Sequence, residues 1–243
     1  MALTRDRGLQ GSTGALAPRG ALGLQVIRHR PPAPQRAQTT TAWLRRVLRE
    51  GLPTTAAERA VNRWRSRNLR YLARGMRTVL LARALRLPTL YGTLWLTPLF
   101  ADGRRLELGL AGFRVVTTAG VGYLVDALQN IVEPELLKFH GIGTGSTAEA
   151  VGDTALVTEL TTEYNPDSTR ATGNLAEGAS ANIFHTEATN TLDGTPGAAL
   201  REHGVFSASA AGTLLDRTVY AAINLSSGDG LLSKYELTLS AGG

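Results

Sequence analysis

Thr89-Leu90-Tyr91-Gly92-Thr93-Leu94-Trp95-Leu96-Thr97-Pro98-Leu99-Phe100 is followed by Ala101-Asp102-Gly103-Arg104 and then by the run Leu106–Val116. The first run is rich in Leu, Tyr, Thr and Trp. An Asp-Gly turn separates it from a second apolar run, and together they read as a β-hairpin. Pro98 has no backbone N–H to give to a ladder, so it predicts an edge or strand-end position. Before Pro88 the apolar spacing is helical; after it the pattern is one of short strands. This hairpin is where the fold class is decided.

Downstream, Thr117-Thr118-Ala119-Gly120 opens a short helix at about Val121–Ile131, with Val121, Leu124, Val125 and Leu128 on one face and Pro134 beyond its end. Further strands are expected at Leu136–Gly143, Thr154–Tyr164, Ala179–Ala188, Gly204–Ser209, Thr213–Asn224 and Leu231–Ser240. In the last of these, Leu237 and Leu239 alternate with Glu236, Thr238 and Ser240, the period of a half-buried strand. Gly-Thr-Gly, Asn-Pro-Asp and Gly-Asp-Gly elements mark turns between them. The expected fold is mainly β: an antiparallel β-sandwich or jelly-roll-like domain with one short helix over residues 89–243.

Upstream, residues 42–88 read as a basic helical segment. Trp43, Leu44, Val47 and Leu48 have helical spacing, with Gly51 as a stop and Pro53 beyond. Thr54 or Thr55 then precedes Glu58 in a capping-box pattern, and a long helix is expected to run to about Arg86. At 100° per residue Arg59, Arg63, Arg67, Arg70, Arg74 and Arg77 share a stripe about 80° wide. Trp64, Tyr71, Leu72, Val61, Val79 and Met76 lie on the broad opposite side, which Arg65 interrupts, and Gly75 is expected to weaken the middle. Residues 1–41, rich in Gly, Pro, Gln and Arg, have no sustained apolar period and read as a disordered-looking, flexible arm.

Charge follows the same division. Residues 1–86 carry 18 Arg and no Lys against Asp6, Glu50 and Glu58, a net charge of +15. Residues 87–243 carry six Arg and two Lys against 17 acidic residues, a net charge of −9. A basic segment joined to an acidic body points to two different contacts, or to a helix that folds onto an acidic surface. The row of like charges, without acids within the stripe, calls for counter-charge from phosphate or from acidic protein. The plain alternative is a solvated cationic face, and high-GC codon usage accounts for Arg over Lys as readily as a need for planar guanidinium groups.

Several chemistries are excluded or find little footing. There is no cysteine, hence no disulfide framework, thiolate zinc site or cysteine nucleophile. No apolar run is long enough for a transmembrane helix, and the start lacks a charged-then-apolar leader, so no membrane partner is expected. Gly141-Ile142-Gly143-Thr144-Gly145-Ser146-Thr147 looks like a phosphate loop but lacks the Gly-Lys-Ser/Thr ending, and reads as a turn. His140, His185 and His203 lack metal-ligand spacing and read as structural, with Glu187 and Glu202 expected on the opposite strand faces from their neighbouring histidines. Asp153, Asp167, Asp193, Asp216 and Asp229 sit near turns, where Asx chemistry accounts for most of them without calcium. Glu163, Asp167 and Glu187 are the least poor candidates for the pair of carboxylates that a carbohydrate-active virion enzyme would need. The sequence therefore assigns no catalytic residue, metal or cofactor.

Three groups of segments carry a resemblance. They are Phe113–Val121 with Lys138–Gly145; Glu149-Ala150 through Thr154-Ala155-Leu156; and Glu202–Ser207 with Leu214–Val219 and Tyr235–Leu239. With these, about residues 91–243 resemble structural proteins of tailed bacteriophages. The resemblance implies a non-enzymatic, β-rich virion component, foremost a capsid decoration (cement) or minor capsid protein. It implies partners among the major capsid protein and other virion subunits, and a homo-oligomer. Its location would be the capsid surface or head–tail region of a particle assembled in the host cytoplasm. A tail or head–tail connector accessory protein, or a virion protein that contacts packaged DNA through the Arg stripe, is the alternative. The basic segment 1–86 departs from the resemblance and reads as an appended docking arm, with Arg59, Arg63, Arg67, Arg70, Arg74 and Arg77 as the contact residues.

Overall fold

A computed structural model describes residues 55–161, 164–165, 169–193 and 197–240. The long helix forms as the capping pattern requires. Helix α1 spans Ala56–Ala84; the Thr55 side chain accepts from the Glu58 N–H, and the Glu58 carboxylate accepts from the Thr55 N–H. The strands are β1 (Thr89–Leu99), β2 (Gly109–Val116), β3 (Phe139–Gly143), β4 (Tyr164–Asn165) and β5 (Ala171–Thr172). They continue with β6 (Asn174–Glu177), β7 (Ile183–Leu192), β8 (Ala198–Phe206), β9 (Leu214–Leu225) and β10 (Gly230–Ser240). Helix α2 covers Thr118–Leu128, and a 3₁₀ turn covers Pro134–Leu136. The expected helix at Trp43–Leu48 and the arm 1–41 lie outside the described residues.

The fold is a mainly β, antiparallel sandwich. One sheet runs β4-β7-β10-β1-β2, with β6 also on β7; the other runs β9-β8-β3-β5. They are joined by a short β2–β9 ladder at Val115–Arg217 and Val116–Asp216. At the opposite side β3 and β5 approach β7 without a backbone ladder. Side chains close that gap: the His140 ring meets the Thr186 hydroxyl at 3.2 Å, and the Ala171 N–H donates to Asn190 at 3.2 Å. The apolar interior includes Leu94, Leu96, Ile142, Leu200, Tyr220 and Leu231.

The hairpin forms, but β1 is central, paired with both β10 and β2. Pro98 is accommodated because the β2 ladder ends at Leu96–Gly109, and its carbonyl accepts from Leu106 beyond that point. In β10 the alternation holds from Leu231 to Leu237, whereas Leu239 is exposed at the strand end. The strand expected at Thr154–Tyr164 does not form: residues 154–161 are a loop with one bridge, Gly143–Glu159. Strand β8 begins at Ala198 and β7 is displaced toward the C-terminus of the expected run; the short β5 and β6 have no sequence signal. Helix α2 buries Gly120 and Tyr123 and turns Val121, Val125 and Leu128 outward, so its apolar face is not the one that meets the core.

Helix α1 is not an appended arm. It packs on β2 and β9 through buried Trp64, Asn68 and Tyr71. Gly75 is required rather than weakening, since a Cβ there would lie 2.5 Å from the Phe113 carbonyl oxygen. Arg65 does not disrupt the buried side; its Nε donates to the Leu108 carbonyl at 2.9 Å. The Trp64 indole donates to the Ala221 carbonyl at 2.8 Å. The Asn68 amide donates to the Ala111 carbonyl (2.6 Å) and accepts from the Ala221 N–H (2.9 Å). Ala111 and Ala221 are the residues that the Val115–Arg217 register places opposite each other four positions along. Asn68 thus replaces a missing ladder rung where β2 and β9 splay apart.

Replacing Asn68 by Leu leaves a buried carbonyl and a buried N–H without partners. The expected loss is about 2–4 kcal/mol, read as a lower midpoint in urea unfolding; a midpoint equal to wild type would show that the rung is dispensable.

Candidate functional site

Two clusters of buried charge lie on the two faces of β8, and the alternation of that strand separates them. Glu202 and His203 are adjacent in sequence and face opposite ways, yet both are fully buried, because both faces of β8 are covered.

On the inner face, Arg114 of β2 donates to the Nδ1 of His203 (2.9 Å) and to the His203 carbonyl (2.8 Å). The Nε2 of His203 lies 3.1 Å from Nδ1 of His140, whose Nε2 meets Thr186. A guanidinium has only donors, so Nδ1 of His203 accepts. His203 therefore carries its proton on Nε2 and gives it to His140, which in turn donates to Thr186. The direction of the whole chain follows from Arg114. Asp216 of β9 supplies the counter-charge, with its Oδ1 2.6 Å from Arg114. The contact is an ion pair at an angle outside hydrogen-bond geometry, since neither Asp216 oxygen has an aligned donor. Tyr235 stands beside it, with Arg114 5.0 Å above its ring. Gly92 leaves the space: a Cβ there would fall 2.6 Å from Tyr235 and 2.7 Å from Asp216.

Burial, with Arg114 alongside, pushes His140 down to about 3 and His203 well below the ordinary imidazole range. Burial lifts Asp216 to about 6 against the opposing pull of Arg114. The two imidazoles are neutral, the His203 lone pair accepts from Arg114 and the His140 lone pair from His203, and the rings sit at 0% exposure.

On the outer face, Glu202 organises the glycine-rich loop. Its Oε1 accepts from the N–H groups of Gly145 (3.0 Å) and Thr158 (2.7 Å), and its Oε2 from that of Val157 (3.1 Å). A Cβ at Gly145 would overlap Oε1, and one at Gly143 would lie 2.7 Å from it. Arg217 donates to Glu202 (2.8 Å), Asp153 (3.0 Å) and the Thr147 carbonyl (3.0 Å). The loop that resembles a phosphate cradle is thus an anion cradle already filled by the chain's own carboxylate. The same bonds account for the absent strand at 154–161, because Val157 and Thr158 give Glu202 the N–H groups that a ladder would use.

The remaining sequence candidates disperse. His185 sits on β7 with Glu187 on the same face, 3.6 Å away; they are two residues apart, so the period of a strand sets them together rather than on opposite faces. Asp229 caps a turn by accepting from Ala101 and Ser226, and Asp153 accepts from the Ala150 N–H. Asp216 departs from the turn reading: it is a buried strand residue. Glu163 and Asp167 lie outside the described residues. Among the described residues no group of three or more His, Asp or Glu side chains is arranged to hold a metal ion.

Sequence reasoning missed Arg114, Glu202 and Arg170 as organising residues. Arg170 pairs with both oxygens of Glu159 (2.5 and 2.8 Å) and stacks 3.3 Å over the Phe206 ring. Arg in a strand read as buried is the signal that could have found Arg114 and Arg217.

All six arginines of the stripe, Arg59, Arg63, Arg67, Arg70, Arg74 and Arg77, are exposed. Arg74 pairs with Glu149 at 3.1 Å, and Arg70 and Arg74 lie against the Tyr71 ring. Arg63, Arg67 and Arg77 make no ion pair among the described residues. No protein-family model matches the chain, and no curated protein matches it in sequence.

Two outcomes follow from the buried clusters. Each imidazole binds its proton less tightly folded than unfolded, so its stabilisation is complete above pH 6.5 and is lost as pH falls toward 3. Asp216 acts oppositely between about 6 and 3.8, where the folded form holds the extra proton. Two histidines against one carboxyl leave a net loss of stability as pH falls through that window. Urea midpoints measured from pH 8 to 4 should be level above 7 and then fall; a level profile down to pH 4.5 would refute the neutral-imidazole assignment. Separately, Glu202→Gln leaves Arg217 short of charge and should cost about 3–5 kcal/mol. Limited proteolysis should then cut first within residues 144–159, whereas a wild-type digestion pattern would contradict the cradle.

Proposed function

We propose that the protein is a non-enzymatic structural subunit of a tailed-bacteriophage virion, of the capsid decoration (cement) type, which docks through the Arg face of α1. The observation that carries the reading is the rigid presentation of that face. Trp64, Asn68 and Tyr71 fasten the helix to the sandwich, so guanidinium groups from Arg59 to Arg77 stand in a fixed row over about 27 Å. A preformed row loses little side-chain and backbone freedom on meeting an acidic surface. The resemblance of residues 91–243 to phage structural proteins supports the same reading. So do the contacts of the buried Arg114, His203, His140, Glu202 and Arg217, which are made with other groups of the protein's interior.

The partner is acidic protein on the major capsid subunit. Contact with packaged DNA is the competing reading of the same row, and salt distinguishes the two, because release of counterions from a polyanion gives a steep, log-linear loss of affinity.

Arg63, Arg67, Arg70 and Arg74 replaced together by Glu should reduce occupancy on purified particles at least tenfold, measured by quantitative mass spectrometry of virions, while the circular dichroism melt is retained. Undiminished occupancy would eliminate the row as the docking surface. Wild-type protein that binds duplex DNA, with affinity falling steeply from 50 to 200 mM salt, would favour the DNA reading.

A further inference from the structure

One side of the sandwich is closed by a strap rather than by a ladder. Strand β5 pairs with β3 in the second sheet and β6 pairs with β7 in the first, so residues 171–177 cross from one sheet to the other. The crossing point is Gly173, which is buried between exposed Thr172 and Asn174. Its N–H donates to the Lys138 carbonyl at 2.7 Å. A Cβ at this position would overlap the Thr186 hydroxyl and lie 2.9 Å from Nε2 of His140. A glycine backbone therefore covers the end of the two-histidine chain. Both ends of the strap are held. Arg170 donates to Glu159 and to the carbonyls of Ala208 and Ala211, and beyond β6 the Gly178 N–H donates to the Ile183 carbonyl at 2.8 Å.

We propose that residues 171–177 are an acid-operated gate: a proton taken up by His140 lifts Gly173 from the His140–Thr186 contact and parts β3 and β5 from β7, while the β2–β9 side and α1 stay in place. The gate does not rest on the docking reading and holds whatever the protein attaches to.

Three observations carry the gate. The first is the bonding of the ring. Nε2 of His140 gives its proton to Thr186 and Nδ1 accepts from His203, so a second proton on Nδ1 would meet the His203 N–H. His203 cannot turn its lone pair that way, because Arg114 holds it. The second is charge. His203 faces the ring from β8, and behind it stand Arg114 of β2, Asp216 of β9 and Tyr235 of β10. From β7 come Thr186 and, on the opposite face of that strand, His185 with Glu187. Lys138 precedes β3, and Arg170 and Glu159 lie across it by Gly141. Residues 171–176 carry no charge. Of the two carboxylates nearest the chain, Asp216 is engaged by Arg114 and Glu159 by Arg170. The third is position. The ladder-free side is closed by the His140–Thr186, Ala171–Asn190 and Gly173–Lys138 contacts, whereas the other side has a ladder and the Asn68 rung. Opening at the strap gives the ring water for the loss of few bonds. Burial, with Arg114 and His185 adding like charge, holds the closed ring at about 3, and a hydrated imidazole titrates near ~6.5. The open form binds the proton more tightly, so acid favours it as pH falls below ~6.5. Asp216 lies in the β2–β9 ladder and stays buried in both forms, so its own titration does not enter.

Hydrogen–deuterium exchange of the full chain, corrected for intrinsic amide rates, reads the opening. In peptides spanning residues 170–177 the opening equilibrium should rise about thirtyfold from pH 7.5 to pH 5.0, the factor for one proton on a group that titrates near ~6.5 when open. Peptides from α1 and β2 should keep their protection. His140→Gln, whose side-chain amide can accept from His203 and donate to Thr186, should abolish the rise, and His185→Gln should retain it. Thr186→Val keeps the side-chain volume and removes the acceptor, and it should open the strap about tenfold more at pH 7.5. That variant tests the contact even if His140→Gln does not fold. A strap with the same protection at both pH values would overturn the proposal. So would an equal rise in α1 and β2, which is global unfolding, or a rise that survives His140→Gln or is lost in His185→Gln. Wild-type protection of the strap in Thr186→Val would do the same.

Discussion

The buried Arg114 guanidinium is the constraint on which the interior depends. A cation at 0% exposure has lost its hydration and must recover that energy from fixed partners. It does so from two strands: the His203 ring and carbonyl on β8, and the Asp216 carboxylate and carbonyl on β9. Because it only donates, it fixes the tautomers of two imidazoles and carries that order across the interior to Thr186 on β7. The chain therefore spans the sandwich from its ladder-joined side to the side that has no ladder. Leu or Val in these positions would fill the same space but would not specify which strand edge faces which.

Arg217 solves the mirror problem on the outer face. The two arginines leave neighbouring strands joined by the two-rung β2–β9 ladder, yet point to opposite sides of the second sheet. One meets the Asp216 carboxylate in the interior; the other meets Glu202 beneath the loop. Strand β9 is consequently covered on both faces along nearly its whole length, with the sandwich on one side and α1, α2 and the glycine-rich loop on the other. Such double coverage turns the loop from a solvent-facing connector into part of the packing. Gly143 and Gly145 are then set by a carboxylate's volume rather than by turn conformation alone.

This arrangement accounts for what the sequence made legible. The hairpin at 89–116, the alternation of β10 and the capped start of α1 are local patterns, and each has its cause within a few residues. Gly75, Gly92 and Asn68 were opaque because their causes lie across the fold: the Phe113 carbonyl, the Asp216–Tyr235 pair and an unfilled rung between β2 and β9. The failure at 154–161 has the same origin. Val157 and Leu160 are apolar anchors of the expected strand, but Glu202, 45 positions from Val157, competes for the backbone donors. His140 and His203 are hydrogen-bonded residues, as the sequence predicts, whereas His185 meets only Glu187 at 3.6 Å; the direction of the two-histidine chain depends on Arg114.

The charge division acquires a physical meaning from these pairings. Five of the six arginines in residues 87–243 are in contact with acids of the same region: Arg114 with Asp216, Arg170 with Glu159, Arg217 with Glu202 and Asp153, Arg104 with Asp102, and Arg105 with Glu107. The carboxylates nearest to an arginine are thus already engaged inside the body. Of the α1 row, Arg74 reaches one of the body's acids, Glu149, while among the described residues Arg63, Arg67 and Arg77 make no ion pair. A helix fastened by a tryptophan, an asparagine and a tyrosine cannot swing to find others. The guanidinium groups of Arg63, Arg67 and Arg77 stand exposed, and any acidic surface set against the helix would lower their mutual repulsion.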